Sequence, residues 1–378
     1  SMCPWFESRW YHFKNKRTTV RLFRFKPSPK RMYPEDLDFQ LHGILNWIDE
    51  TRPTRLAIVM DRNTEKHCLP LLSHLLPPHT EFLCLSPPGE HVKSIEHALA
   101  LWSQLDEAGF DRSSALIGLG GGTITDLAGF VASTYLRGID CWLAPTTILG
   151  MVDAAIGGKT GINLTHGKNR IGTFQHPVDV SINPHFLSTL PDRHKINGWA
   201  EHAKHLLITD PDCDLHGELA PLVGMSASPE VIGDAILRSI AMKAGIVNQD
   251  EREQTEIRKQ LNFGHTVGHA LESWALAEDQ DILHGEAVAW GMQVELKLSA
   301  RLCSEADDDR EQLQVAARVL KDLFPQPTNA PGADALWSWM LKDKKNKADK
   351  VRMALLKRPG HPVLNVEVSF DSLSDYFL

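Results

Sequence analysis

Short apolar runs alternating with amphipathic stretches organise the first half of the chain. Runs at residues 55–60, 81–85, 115–119, 141–144 and 178–182 are bounded by glycine, proline or charged positions, which predicts buried strands. Residues 94–108 and 124–134 carry apolar positions three and four apart, the helical period. The recurrence of strand, helix and strand predicts an α/β domain with a largely parallel, Rossmann-like sheet. Beyond about residue 190 the pattern changes to long helical stretches at 229–248, 265–277 and 285–303, so the second half is expected to be mainly α-helical. The division falls at residues 187–191, giving an α/β domain with an N-terminal arm over 1–190 and a helical domain over 191–378. The proline-rich stretch 324–333 reads as a loop, because apolar residues resume at Leu336.

Composition narrows the classes. A chain of 378 residues with 42% hydrophobic content can bury two cores. A net charge of -8 argues against a nucleic-acid partner but leaves room for a local basic pocket holding a small anion. Six cysteines without CxxC spacing point to free thiols, a reducing compartment and, by default, the cytoplasm. No apolar run is long enough to span a bilayer, and SMCPWFESRWYHFKNKR at the start lacks the apolar core of a secretory signal. No membrane partner is expected.

The glycines Gly118, Gly120, Gly121 and Gly122 follow an apolar run and precede a helix. Such a corner lets a backbone approach a pyrophosphate, although Thr123 stands where GxGxxG needs its third glycine, and a tight structural turn explains the cluster equally well. Asp61 and Asn63 end an earlier strand, while Asp126 and the hydroxyls of Thr146 and Thr147 sit at two further strand ends. Singly these are helix caps or turn residues; together they outline a cleft. Lys159 and Lys168 lie in loops rich in small residues; each is either a solvated surface charge or, as the favoured reading, a cation brought with backbone amides to a phosphate. Arg137, at a helix end, is a third cation for that anion, or a C-terminal cap.

His265 and His269 are four apart and share a helix face, as a zinc pair or as two structural histidines. Thr266, Val267 and Gly268 stand between them, without the glutamate of a metalloprotease helix. Glu201 and His284 add a carboxylate and an imidazole from separate segments, and two imidazoles with one carboxylate make an open zinc site. Lys204, one turn after Glu201, forms at least a surface ion pair with it.

The order of motifs is more specific than any one of them. PPGEHVKS, GGGTITDLAGF, TYLRGI, APTT, VDAAIGGKTGIN, GKNRIGTF, TLP, AEHAK, LNFGHTVGHALE, HGEAVAWGM and DKK together resemble the 3-dehydroquinate synthases and the wider sugar phosphate cyclase superfamily. That resemblance implies NAD in the first domain, held by Asp61, Asn63, Glu90, Lys93, Gly121, Gly122, Asp126, Thr146, Thr147 and Lys168. It implies zinc, with cobalt as the alternative, on Glu201, His265 and His284. His269 is then not a ligand; with Asp153, Lys204 and Asn262 it serves catalysis. Lys159, Asn169, Lys243, Arg258 and Lys344 surround a small sugar phosphate, and Arg137 reaches the neighbouring site of a homodimer. The implied reaction converts 3-deoxy-D-arabino-heptulosonate 7-phosphate to 3-dehydroquinate and phosphate by transient oxidation, β-elimination, reduction and intramolecular aldol closure.

Three alternatives stand beside it. A cyclase acting on sedoheptulose 7-phosphate has no substrate carboxylate to bind, a polyol dehydrogenase has little use for the lysine and arginine set, and a silent relative would keep only the fold. The chain also departs from the family pattern, with one extra residue between Lys243 and Asn262 and with His202 and His205 flanking the metal glutamate.

Overall fold

Residues 37–164, 167–327, 330–342 and 350–376 are described by the computed structural model. The N-terminal arm and Lys344, with its DKK motif, lie outside them. The first half runs α1 (Leu37–Thr51), β1 (Leu56–Asp61), α2 (Arg62–His67), α3 (Leu69–Leu72), β2 (Glu81–Leu85), α4 (Ile95–Glu107), β3 (Ala115–Gly120), α5 (Gly122–Thr134), β4 (Asp140–Pro145), β5 (Ile162–Leu164), β6 (Gly167–Ile171) and β7 (Asp179–Val180). The strands form a parallel sheet in the order β2-β1-β3-β4-β7, while β5 and β6 make a separate antiparallel hairpin. β3 is buried along its whole length, as a central parallel strand covered on both faces must be.

The chain leaves β1 toward β2 on one side and enters β3 on the other, so the connections diverge between β1 and β3. In doubly wound sheets that divergence opens a crevice at the carboxyl ends of the strands. Asp61 closes β1 there and Gly120 closes β3. A Cβ on Gly120 would lie 2.5 Å from Ile124 Cβ, so glycine lets α5 start directly against the strand.

The second half runs α6 (Asp192–Thr209), α7 (Leu215–Val223), α8 (Pro229–Gln249), α9 (His265–Ala277), α10 (His284–Leu302), α11 (Asp307–Leu323), α12 (Ala333–Leu341), β8 (Val351–Arg358), β9 (His361–Val368) and α13 (Phe370–Ser374). It is a helical domain carrying one antiparallel hairpin, β8–β9. α9, α10, α12 and the hairpin enclose a core of Val267, Leu271, Val294, Leu298, Leu336 and Leu355. Among the described residues no helix is long and apolar enough to cross a membrane.

Candidate active site

Three helices deliver the metal candidates. Glu201 lies in the middle of α6 and is fully buried, His265 is the first residue of α9, and His284 is the first residue of α10. Glu201 Oε1 faces His265 Nε2 at 3.4 Å and His284 Nε2 at 3.3 Å. Ligand bonds of about 2.0–2.1 Å at a tetrahedral angle place neighbouring donor atoms about 3.3 Å apart, so the spacing fits one zinc ion. Each histidine is oriented through its other nitrogen: His265 Nδ1 donates to the Phe263 carbonyl (3.1 Å) and His284 Nδ1 to Glu272 (3.2 Å). The other Glu201 oxygen is ion-paired with Lys204, a pair buried together rather than exposed at the surface.

Two further groups of donors come together, Asp153 with Glu201 and His205, and His269 with Glu272 and His284. The first is filled by cations, since Lys243 Nζ donates to the Asp153 carboxylate and backbone carbonyl at 2.6 Å each and Lys204 lies 3.9 Å away. In the second, Glu272 is engaged by Lys168 Nζ at 2.7 Å. Glu201, His265 and His284 form the third such group, and its donor spacing suits a divalent ion.

The electrostatics divide the donors. Burial and the Lys204 charge keep His265 well below its ordinary pKa, hence neutral and ready to ligate. Burial opposes charge on His284, but Glu272 and Glu201 outweigh it and raise its pKa to about 10. Burial likewise works against the Glu201 carboxylate, and Lys204 with the two histidines holds it well below the usual range. Asp153 is held low against burial chiefly by Lys243. Glu295 is different: burial pushes it up to about 8, against backbone amides of Gly264, Val267 and Thr266.

The nucleotide candidates gather at the strand ends. Asp61 caps α2, accepting the Thr64 amide at 2.9 Å, and Asn63 is exposed on that helix. Gly121 caps α5 without any side-chain bond, which leaves the first amides of that helix open to an anion. Glu90 bridges Thr123 (2.6 Å) and Asn163 (2.8 Å), and Lys93, nearly buried, joins Asp126 and Asn169. Thr146 donates its amide to the Gly120 carbonyl, fixing β4 beside the crevice, and Thr147 Oγ1 accepts from Gly150. A π-helical turn at Gly150–Ala154 follows and presents Asp153.

The remaining cations come from two loops. Lys159 pairs with Glu253, and Arg258, buried, donates to the carbonyls of Glu251 (2.6 Å) and Gly157 (3.1 Å). Asn262 ends the 3-10 turn Ile257–Asn262 that leads to His265. In the stretch between Lys243 and Asn262, Glu253 and Glu256 take φ values of +55° and +70°, while Asp250 accepts the amides of Gln254, Thr255 and Arg258. Lys243 reaches Asp153 from α8. His269 is exposed, with its ring edge-on to His265 at 5.0 Å. Arg137 stands exposed at the far end of α5 from Gly122, about 20 Å along a thirteen-residue helix, with φ +71°.

His202 and His205 are buried and driven down by burial, to about 4 and about 3, so both are neutral. His205 Nδ1 bonds Ser239 Oγ at 2.6 Å. The sequence reading missed Glu272, Glu253 and Glu295. GHALE held a signal for Glu272, which lies seven residues after His265 and so returns to the same helix face.

Comparison with known proteins gives a consistent assignment. The families described as 3-dehydroquinate synthase N-terminal and C-terminal match residues 83–197 and 198–346. A 3-dehydroquinate synthase of Parabacteroides distasonis is 36% identical over 340 residues, 90% of this chain and 94% of that protein. One from Thermodesulfovibrio yellowstonii is 41% identical over 77% of this chain and 80% of its own. Among solved structures, 2-epi-5-epi-valiolone synthase from Streptomyces hygroscopicus subsp. jinggangensis, with NAD+ and Zn2+ bound, matches with TM-score 0.74 and 29% identity over 85% of this chain and 89% of that one. A glycerol dehydrogenase from Sinorhizobium meliloti, at TM-score 0.58 and 15% identity over 89% and 93%, shares the fold alone.

Proposed function

The chain belongs to the 3-dehydroquinate synthase family, and from that premise we propose that it converts 3-deoxy-D-arabino-heptulosonate 7-phosphate to 3-dehydroquinate and phosphate, using NAD and zinc. The observation that carries the reading is the convergence of Glu201, His265 and His284 at tetrahedral spacing beside the buried Lys204 and Lys243. When bound, NAD supplies a hydride acceptor that later returns the hydride, and zinc supplies a Lewis acid at the hydroxyl being oxidised.

The chain's own residues do the rest. The amides at the start of α5, with Asp61, Asn63, Glu90, Lys93, Asp126, Thr146, Thr147 and Lys168, hold the dinucleotide along the crevice. Lys159, Lys243, Arg258 and Lys344 compensate the substrate's phosphate and carboxylate charge, and Asn169 hydrogen-bonds the same substrate. Lys204 and Asn262 orient substrate hydroxyls, and His269 at the cleft mouth exchanges protons with solvent. Asp153 keeps Lys243 charged and placed. The division into residues 1–190 and 191–378 separates dinucleotide from metal binding, while Arg137 serves a second copy of the chain in a homodimer. The five described cysteines are free thiols, which suits the cytoplasm.

Lys243 and Arg258 favour a substrate bearing a carboxylate over sedoheptulose 7-phosphate. The test is to incubate the protein with NAD, zinc and each sugar phosphate, then follow phosphate release and product mass. Turnover of the heptulosonate alone supports the reading; turnover of sedoheptulose 7-phosphate alone overturns it.

A further inference from the structure

The two histidine ligands each open a helix, and at each helix start a side chain from a neighbouring ligand-bearing helix accepts backbone amides, joined at α10 by Glu286 of the same helix on the Leu283 amide. Glu295 of α10 reaches the start of α9: its Oε2 accepts the Gly264 amide at 2.6 Å and its Oε1 the Val267 amide at 3.3 Å, astride His265. Asn197 of α6, one turn before Glu201, accepts the Gly285 amide at 2.6 Å, directly after His284. Both are buried, Glu295 completely. Neither cap comes from the N-cap residue itself, since Gly264 and Leu283 supply no side-chain oxygen. The helices also approach too closely for substitution, because a Cβ on Gly285 would fall 1.9 Å from the Asn197 carbonyl and one on Gly291 2.1 Å from the Gly264 carbonyl.

We propose that Asn197 and Glu295 are positioning residues that lock the three ligand-bearing helices into one register, so that Glu201, His265 and His284 are arranged before the metal arrives. Asn197 ties the Glu201 helix to the His284 helix, and Glu295 ties the His284 helix to the His265 helix. A buried carboxyl group is costly to hold in an apolar core, and at this place its oxygens answer backbone amides that would otherwise be unpaired. A cap that only stabilised its own helix could come from the residue preceding it, as Ser228 does for α8. A cap from the next ligand helix also fixes the distance between ligands.

The inference rests on the metal reading, and zinc itself is the probe. Zinc affinity is measured by chelator competition for the parent, Glu295→Gln, Asn197→Ala and Asn197→Asp, well below the lowest unfolding midpoint of the set. Loss of an orienting partner outside the ligand shell costs metal affinity about 10- to 100-fold. Glu295→Gln, left with one acceptor, and Asn197→Ala, left with none, are expected to weaken zinc at least about tenfold. Asn197→Asp keeps an acceptor oxygen and restores affinity to within about threefold of the parent. At saturating NAD, KM for the sugar phosphate stays unchanged while kcat at limiting zinc falls and recovers with excess zinc. Variants that melt earlier yet hold zinc as tightly as the parent would show that the caps serve the fold alone. A parent that takes up no zinc would overturn the metal reading itself.

Discussion

Glu272 links strand β6 of the α/β domain, through Lys168, to the proposed metal ligand His284, and its removal separates two effects by their dependence on pH. Its side chain is 4% exposed, accepts from Lys168 at 2.7 Å and from His284 Nδ1 at 3.2 Å. Glu272→Gln keeps the shape but leaves one acceptor for two donors and removes the charge. The lost orientation should weaken zinc roughly 10- to 100-fold, about 1.4–2.8 kcal/mol. An opposite effect comes from protonation. Burial resists the charge on His284, yet Glu272 first and then Glu201 raise its pKa to about 10, so zinc must displace a proton at neutral pH. At neutral pH that displacement works against zinc binding, by an amount that shrinks as pH rises toward the histidine's raised value. The sign follows: a raised histidine stabilises the metal-free fold fully below its unfolded value and loses that contribution as pH rises through about 10.

Zinc affinity of the parent should therefore climb by nearly one decade per pH unit between about pH 7 and 9, with close to one proton released per ion. In Glu272→Gln the climb flattens, and the ratio of parent to variant affinity grows by at least about tenfold across that range. Chelator competition at three pH values, with proton release followed by calorimetry in two buffers, reads both quantities. Parallel affinity curves, or a ratio that does not change with pH, would refute the reasoning.

Lys243→Met strips Asp153 of its main cation and should destabilise the protein by about 2–4 kcal/mol at pH 7, discounted because Asp153 is partly exposed. Since the Asp153 carboxyl is held low in the folded state, the stabilisation is present above its unfolded value and fades as pH falls, so parent and variant melting curves converge below about pH 4. Gly291→Ala pushes a methyl into the Gly264 carbonyl and should cost about 1–3 kcal/mol in denaturant unfolding, with little change meaning that α9 and α10 can separate freely. Asp61→Ala removes the cap of α2, worth about 1 kcal/mol, and should also weaken NAD in a binding titration. Unchanged NAD affinity would take Asp61 out of the cofactor site.

The strands of the parallel sheet were legible where an apolar run met a turn signal: the run at 81–85 coincides with β2, and 115–119 with all but the last residue of β3. Helical periodicity placed α9 at His265–Ala277 to the residue, because Gly264 stops the preceding turn and apolar positions repeat after it. Three features escaped. The hairpin β5–β6 is short and largely polar, so alternation gives no signal. The hairpin β8–β9 did carry one in the Pro359-Gly360 turn between alternating runs, within a half expected to be helical. The π-helical turn that presents Asp153 depends on close packing and has no sequence period. Within the site, residue types and motif order singled out Glu201, His265 and His284, and the fold brings these three side chains together. The carboxylates that hold them, Glu272 and Glu295, look in sequence like ordinary helix residues and become distinct only through burial.

The central claim is that NAD is used and restored within each cycle while phosphate leaves. The most direct measurement is the ratio of NADH accumulated to phosphate released when the zinc-loaded protein turns over 3-deoxy-D-arabino-heptulosonate 7-phosphate with catalytic NAD. Phosphate and 3-dehydroquinate forming together in many-fold excess over NAD, with no net NADH, is the predicted result. NADH accumulating in step with substrate oxidation, without phosphate release, would contradict it.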